Sequence, residues 1–131
     1  MLSGKLILIS TVIFLLLDLF WLGFAARQFY ANAYGSLLRL APDGNSMAPN
    51  WYAAIVVYIL LVVGINVFVF PLTNGQVVSA FLYGGLFGLV SYGVYDWTCY
   101  AVFDNWPLMA SIIDTIWGIV ICGVTAGGAM W

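Results

Sequence analysis

Histidine and glutamate are absent from the chain, and charged side chains make up only 6% of its 131 residues. Without histidine a zinc, haem or di-iron centre is disfavoured, so we expect neither a metal nor a cofactor. A soluble domain carries about 25% charged residues. Because so little polar surface is available, most of this chain has to face lipid rather than water.

Basic side chains are also scarce, since Lys5, Arg27 and Arg39 are the only ones. They form no patch, which argues against a nucleic-acid partner. The two cysteines, Cys99 and Cys122, fall in apolar segments. A buried thiol in such a segment usually packs and does no chemistry.

Four apolar runs are long enough to cross a bilayer, because a helix needs about 20 residues to span its hydrocarbon core. They cover residues 6–26, 51–72, 76–103 and 108–131. Short links make the last three runs antiparallel to their neighbours. We expect residues 27–50 to form an interfacial loop, with residues 36–41 flat on the membrane and a turn at residues 42–46. The sequence predicts one all-α domain, an antiparallel bundle of four transmembrane helices in a polytopic membrane protein.

The first apolar run has some features of a signal peptide, but we expect it to be retained as a membrane helix. Asp18 interrupts the run. A small-x-small cleavage motif is missing, because Phe24 precedes Ala25 and Ala26.

Three aspartates fall at one depth in this scheme. Asp18 precedes the end of the first run by eight residues, Asp96 precedes the end of the third by seven, and Asp114 follows the start of the fourth by six. An antiparallel bundle places these ends on one membrane face. At 1.5 Å per residue the carboxyl groups then lie about 9 to 12 Å below that face, in the same layer as Tyr58.

Small and polar side chains mark one face of the third and fourth runs, and such faces let helices approach closely in lipid. On the third run they are Ala80, Gly84, Gly88, Tyr92, Asp96 and Tyr100. On the fourth run they are Ser111, Asp114, Thr115, Gly118 and Cys122. We expect these faces to point inward and to form a site for a proton, a cation or another ligand. Its candidate residues are Asp18, Asp96, Asp114, Tyr58, Tyr92, Tyr100 and Thr115.

A charged aspartate in the middle of a membrane helix costs about 2.5 to 3.5 kcal/mol on the insertion scale. The chain offers no lysine or histidine inside the four runs to pair with the three carboxyl groups. Either the carboxyl groups are neutral and hydrogen-bond to tyrosine and threonine hydroxyls, or a cation or cationic ligand group lies between them. Ionisable groups inside membranes usually mark functional sites, but polar groups also hold helices together, so a structural role stays open.

A short motif occurs twice, as Asp18-x-x-Trp21 and as Asp114-x-x-Trp117. The two copies run in opposite directions through the membrane, as inverted repeats do. Because so few letters match in a chain that is rich in tryptophan, we interpret the repetition as a coincidence.

Three segments carry a family resemblance: LDLFWLGFAARQFY at residues 17–30, YGVYDWTCYAVFDNWP at residues 92–107 and DTIWG at residues 114–118. Together they resemble a widespread family of small bacterial membrane proteins known only as a domain of unknown function. The family pattern falls on Asp18, Trp21, Tyr92, Tyr95, Asp96, Thr98, Trp106, Pro107, Asp114, Trp117 and Gly118. The resemblance implies a multi-pass protein of the bacterial inner membrane with four helices, and it implies no activity.

Three functions remain open. The first is a proton- or cation-linked transport or channel component built on the three carboxyl groups. Because four helices alone would form only a thin pore wall, this function predicts a homo-oligomer, formed through lipid-facing Gly85 or Gly127. The second is a membrane-embedded binder or enzyme for a lipid-like molecule, with one aspartate as general base. The missing histidine, glutamate and intramembrane lysine argue against an enzyme. The third is an accessory membrane protein with a structural role.

Overall fold

The structure, a computed structural model, describes residues 3–44 and 47–131. Four of its helical segments are long and apolar enough to cross a membrane, namely Gly4–Ala25, Trp51–Leu72, Val77–Val102 and Leu108–Met130. The α-helices are α1 (Gly4–Phe20), α2 (Arg27–Tyr34), α3 (Trp51–Gly64), α4 (Val77–Val102) and α5 (Leu108–Met130). A π-helical turn at Trp21–Ala25 continues α1, and a π-helical turn at Ile65–Val69 followed by a 3-10 turn at Phe70–Leu72 continues α3. The predicted all-α, polytopic bundle is confirmed.

The long link between α1 and α3 differs from the prediction. The helix in this link is α2 and comes earlier than the flat segment expected at residues 36–41, where the structure has a 3-10 turn at Gly35–Leu37. Helix α2 stops because Gly35 takes a φ of 51°, in the left-handed region that favours glycine. The predicted turn is present at residues 42–44, and its last two residues, Asn45 and Ser46, lie outside the described residues.

Helices α4 and α5 form the closest pair in the bundle. Gly88 lies against the backbone of Gly118, and Gly84 lies against that of Cys122, so a side chain at either glycine would collide with the neighbouring helix. Small residues are common at membrane interfaces of this kind because they let two backbones approach. The residues that α4 buries are Ala80, Gly84, Gly85, Gly88, Asp96 and Cys99.

The expectation that Gly85 and Gly127 face lipid is wrong. Both are buried within the chain. Ile119 of α5 lies 3.4 Å from the point where a Gly85 Cβ would stand, and the ring of Phe81 packs on Gly127. The reason is the central position of α5, which packs against α1 as well as α4 and so buries more of its circumference than a single stripe.

Helices α1 and α3 run antiparallel with two polar pairs in matching positions. Asn66 Nδ2 donates to Ser10 Oγ at 3.0 Å, and the hydroxyl of Tyr58 donates to Asp18 Oδ2 at 2.7 Å. Phe14 lies between Ser10 and Asp18 on α1 and is fully buried. Its ring meets the ring of Tyr58 edge-on, with centroids 6.0 Å apart. The polar group near the termini is therefore separated from the aspartate layer by a buried aromatic ring.

Helices α3 and α4 meet mainly near the turn that joins them. At that end the ring of Phe87 packs over Gly64. Towards the membrane face that carries α2 the two helices separate, and a groove of about 400 Å³ opens between them. This groove reaches from the lipid-facing surface to Asp114 of α5.

Candidate functional site

Asp18 is the best-bonded carboxyl group of the three candidate aspartates. Its side chain is 6% exposed. Tyr58 donates to Oδ2 at 2.7 Å, and the indole of Trp117 donates to Oδ1 at 3.3 Å. Each carboxyl oxygen therefore has a donor from a different helix, and Asp18 ties α1 to both α3 and α5.

Asp114 is held by a residue that the sequence analysis did not include in the site. The hydroxyl of Tyr30 donates to Asp114 Oδ1 at 2.8 Å, and the indole of Trp21 donates to the Tyr30 oxygen at 3.0 Å. Tyr30 belongs to α2, which brings its side chain back against the start of α5, where it is only 2% exposed. In the sequence, the position of Tyr30 within the family-like segment at residues 17–30 was the one signal that it belongs to the site.

The hydroxyl of Tyr30 acts as a donor over the whole physiological pH range. Burial and the nearby Asp114 raise the pKa of this tyrosine above its ordinary value. A tyrosine that stays protonated must give its proton to an acceptor when it is buried. Asp114 is that acceptor, so the contact fixes the direction of the hydrogen bond.

The two Asp-x-x-Trp motifs contact each other in the structure, although their repetition in the sequence was interpreted as a coincidence. The rings of Trp21 and Trp117 stack with centroids 4.3 Å apart and planes 6° apart. Trp117 of the second motif bonds Asp18 of the first, while Trp21 of the first reaches Asp114 of the second through Tyr30. The two motifs therefore form one interlocked unit between α1 and α5.

Asp96 differs from the other two aspartates. Its side chain is fully buried, and no hydroxyl, amide or indole in residues 3–44 and 47–131 donates to either carboxyl oxygen. Its nearest titratable neighbour is the carboxyl group of Asp114, which lies within hydrogen-bonding reach of it. Asp18 also interacts electrostatically with Asp114, so Asp114 is the middle member of the three.

The backbone around Asp96 is held in place although its carboxyl group is not. Ser111 of α5 donates to the Asp96 backbone carbonyl at 2.9 Å. The indole of Trp106, in the turn before α5, donates to the Ser111 hydroxyl at 3.1 Å. These bonds fix the position of Asp96 along α4, where its carboxyl group lies next to that of Asp114.

The remaining candidate residues divide into two sets. Tyr92 lines the groove between α3 and α4 together with Asp114. Thr115 is 8% exposed, and its hydroxyl has no partner in the described part of the chain. Tyr100, in contrast, is 43% uncovered by the chain and packs edge-on against Trp97 at 6.0 Å. Each step of four residues turns about 40° around a helix, so the stripe that includes Asp96 has rotated towards lipid at Tyr100.

Two cavities meet at Asp114. The first is the groove between α3 and α4, lined by Val57, Leu61, Ser91, Tyr92, Tyr95 and Asp114. The second lies under α2 and measures about 330 Å³. Its walls include Leu22, Tyr30, Tyr34, Leu37, Leu38, Met47, Tyr95, Trp106 and Asp114. Tyr95 and Asp114 thus separate a space open to lipid from a space at the membrane surface.

Metal binding gains no support from this arrangement. Among the described residues, no three aspartates or cysteines come together in a way that could hold a metal ion. The carboxyl groups interact in pairs, Asp96 with Asp114 and Asp114 with Asp18, rather than around one common centre.

Four membrane-spanning helices that surround buried polar side chains define a multi-pass integral membrane protein. Residues 3–131 match the family model described as predicted membrane protein (DUF2177), and the chain belongs to that family. No curated protein and no solved structure matches the chain.

Proposed function

We propose that this membrane protein binds a lipid-like molecule whose head group is cationic and whose apolar part lies in the groove between α3 and α4. The observation that carries the proposal is the position of Asp114, the one aspartate in the described part of the chain that lines both cavities. The family resemblance supports the inner membrane of a bacterium as the place where it acts.

The lining of the two cavities favours a cationic head group over an anionic one. No lysine or arginine is among the residues described as lining either space. A phosphate or carboxylate ligand would face Asp114 without a compensating positive charge. The cavity under α2 also presents the rings of Tyr30, Tyr34 and Trp106, and aromatic faces attract cations.

The groove suits the apolar part of the same molecule. Val57 and Leu61 of α3 form one wall, and the volume of about 400 Å³ falls within the range that ligand pockets usually show. Because the groove opens between two membrane helices, an acyl or alkyl chain can enter it without leaving the lipid. The polar end then lies at Asp114, next to the cavity under α2.

Binding of a matched pair of probes tests the proposal. Dodecyltrimethylammonium and dodecyl sulfate carry the same chain and opposite charges. We expect the protein in phosphatidylcholine nanodiscs to bind the cationic probe, and not the anionic one, in calorimetric titrations below the critical micelle concentrations. Asp114→Asn keeps an oxygen for the Tyr30 hydroxyl but removes the charge, and it should weaken binding about 10-fold, or about 1.4 kcal/mol.

Asp104→Asn is the matched control, because it makes the same change of charge in the exposed turn between α4 and α5. It should leave the affinity for the cationic probe unchanged. Equal affinities for the two probes, or equal losses in the two variants, would overturn the proposal.

A second candidate, a proton- or cation-linked transport or channel component, is supported by Asp96. Asp96 is fully buried and receives no hydrogen bond from a hydroxyl, amide or indole in the described residues. A carboxyl group of this kind, next to a second carboxyl group, is suited to receive a proton or cation and release it. A homo-oligomer remains part of this hypothesis. Proteoliposomes should show flux that Asp96→Asn abolishes, and wild-type protein that moves no proton or cation at any pH or voltage would end the idea.

A further inference from the structure

A separate cavity of about 500 Å³ lies at the opposite end of the bundle, near the termini. It is lined by Ser3, Leu6, Asn66, Val67, Phe70, Pro71, Thr73, Gly75 and Met130. Asn66 precedes the end of the α3 segment at Leu72 by six residues, which places it about 9 Å below that membrane face. None of the three candidate aspartates belongs to this cavity.

Asn66 presents an unused acceptor here. The residue is 5% exposed, and its side-chain oxygen Oδ1 has no hydrogen-bond partner within the described ranges. Nδ2 donates to the backbone carbonyl of Val62 at 2.9 Å and to Ser10 Oγ at 3.0 Å. A backbone carbonyl only accepts hydrogen bonds, so the contact with Val62 fixes which end of the amide is nitrogen. The oxygen is therefore the amide atom left for a ligand.

The backbone next to Asn66 is irregular in a way that supplies further acceptors. Residues Ile65–Val69 form a π-helical turn, a feature that is frequent at functional sites. Pro71 follows in the next turn and has no backbone N–H to donate to a carbonyl one turn earlier. Irregular backbone at membrane depth is tolerated where it is covered by protein or lines a cavity.

The occupant of such a cavity has to donate hydrogen bonds and tolerate apolar walls. Leu6, Val67, Phe70 and Met130 provide the walls, and no acidic or basic side chain is described among the lining residues. We propose that this cavity binds a membrane lipid whose head group donates hydrogen bonds to the Asn66 side-chain oxygen, as a primary ammonium does.

Two lipids that differ only in that donor test the proposal. Dioleoyl phosphatidylethanolamine carries a primary ammonium, whereas dioleoyl phosphatidylcholine carries three methyl groups in place of its N–H donors. Native mass spectrometry of the detergent-purified full chain, with the two lipids in equal amounts, should show at least fivefold more ethanolamine-lipid adduct. Equal retention of the two lipids would overturn the proposal.

Three variants test whether the preference for the ethanolamine lipid arises from this cavity. Asn66→Leu should abolish it, but this change also removes the bonds to Ser10 and Val62, so a second variant leaves those bonds in place. Val67→Phe adds a ring to the cavity wall, and Val63→Phe adds the same ring one turn earlier on α3, where the side chain is 49% exposed and lines no part of the cavity. Val67→Phe should remove the preference and Val63→Phe should keep it, whereas equal behaviour of the two would contradict the assignment.

Discussion

Trp21, in the π-helical turn that continues α1, and Trp117 of α5 stack face to face with ring centroids 4.3 Å apart. Each indole serves the carboxyl group of the other helix. Trp117 donates directly to Asp18, and Trp21 donates to the Tyr30 hydroxyl that bonds Asp114. The stack therefore orients two of the three candidate aspartates at once, and a change in either ring should affect both.

Trp117→Phe is expected to lower the free energy of unfolding by about 1 to 2 kcal/mol. The change removes the donor to Asp18, and hydrogen bonds between membrane helices average about 0.6 kcal/mol with a maximum near 1.7. It also weakens an aromatic stack, and such pairs are worth about 0.5 to 1.5 kcal/mol. Steric trapping in bicelles measures the change. Trp97→Phe, at an uncovered position on α4, should have a smaller effect, and equal effects would contradict the role of the stack.

Tyr58→Phe isolates the hydrogen bond between α3 and Asp18. A double-mutant cycle with Asp18→Leu should give a coupling free energy of about 0.6 to 1.7 kcal/mol, because the two residues share one hydrogen bond inside the membrane. The same unfolding measurement applies to all members of the cycle. Tyr52→Phe, paired with the same aspartate change, supplies the reference, because Tyr52 is 87% exposed. A coupling near zero for Tyr58 would show that the contact carries no energy.

Tyr30→Phe is expected to loosen α2 from the bundle. The variant loses the donor to Asp114 and the acceptor for the Trp21 indole, while its ring can still pack. Trypsin should then cut faster after Arg39, in the link that follows α2. Digestion of the protein in nanodiscs, followed by mass spectrometry, gives the rate.

Tyr34→Phe is the matched control for this experiment. Tyr34 lies one turn later on α2, and its ring stacks on that of Tyr30 with centroids 5.7 Å apart. Phenylalanine preserves that stack. We expect unchanged cleavage after Arg39 in this variant, and faster cleavage equal to that of Tyr30→Phe would contradict the importance of the hydroxyl bond.

Gly88→Ala should separate α4 from α5 and destabilise the protein by about 1 to 3 kcal/mol, the usual cost of overpacking. A methyl group at this position meets the backbone of Gly118, which has no flexible side chain to move aside. Gly93→Ala on the same helix is the control, because its nearest contact would be Thr115 Cγ2 at 3.8 Å. Reversible unfolding in detergent should distinguish the two, and similar losses would contradict the close approach at Gly88.

The membrane-spanning part of the fold could be predicted because lipid imposes one simple requirement on sequence. Spanning helices need long apolar runs, and short links force neighbours to run antiparallel, so the bounds follow from composition. Asp18 and Tyr58 could be placed at one level by counting residues, and the structure joins them with a hydrogen bond. Counting residues gives the position of a side chain along the helix axis. It does not show which hydrogen-bond partners come from the segments that connect the helices.

The remaining features depend on rotation and on contacts that no periodicity encodes. The role of Tyr30 depends on how α2 folds back against α5, which the composition of the link does not specify. Tyr100 follows Asp96 by four residues and yet is 43% exposed, because a four-residue step drifts around the helix. Gly85 and Gly127 are buried because α5 is central, and that depends on which helices pack together.

The separation of α3 from α4 gives the Asp114 groove a side entrance in the plane of the bilayer. A hydrophobic compound that enters there arrives by two-dimensional diffusion, after it has already partitioned out of water. Its occupancy is then governed by its mole fraction among the surrounding lipids. Dissociation constants for such a compound compare properly only when they are expressed per lipid, so diluting a sample with buffer leaves occupancy almost unchanged while adding empty vesicles reduces it.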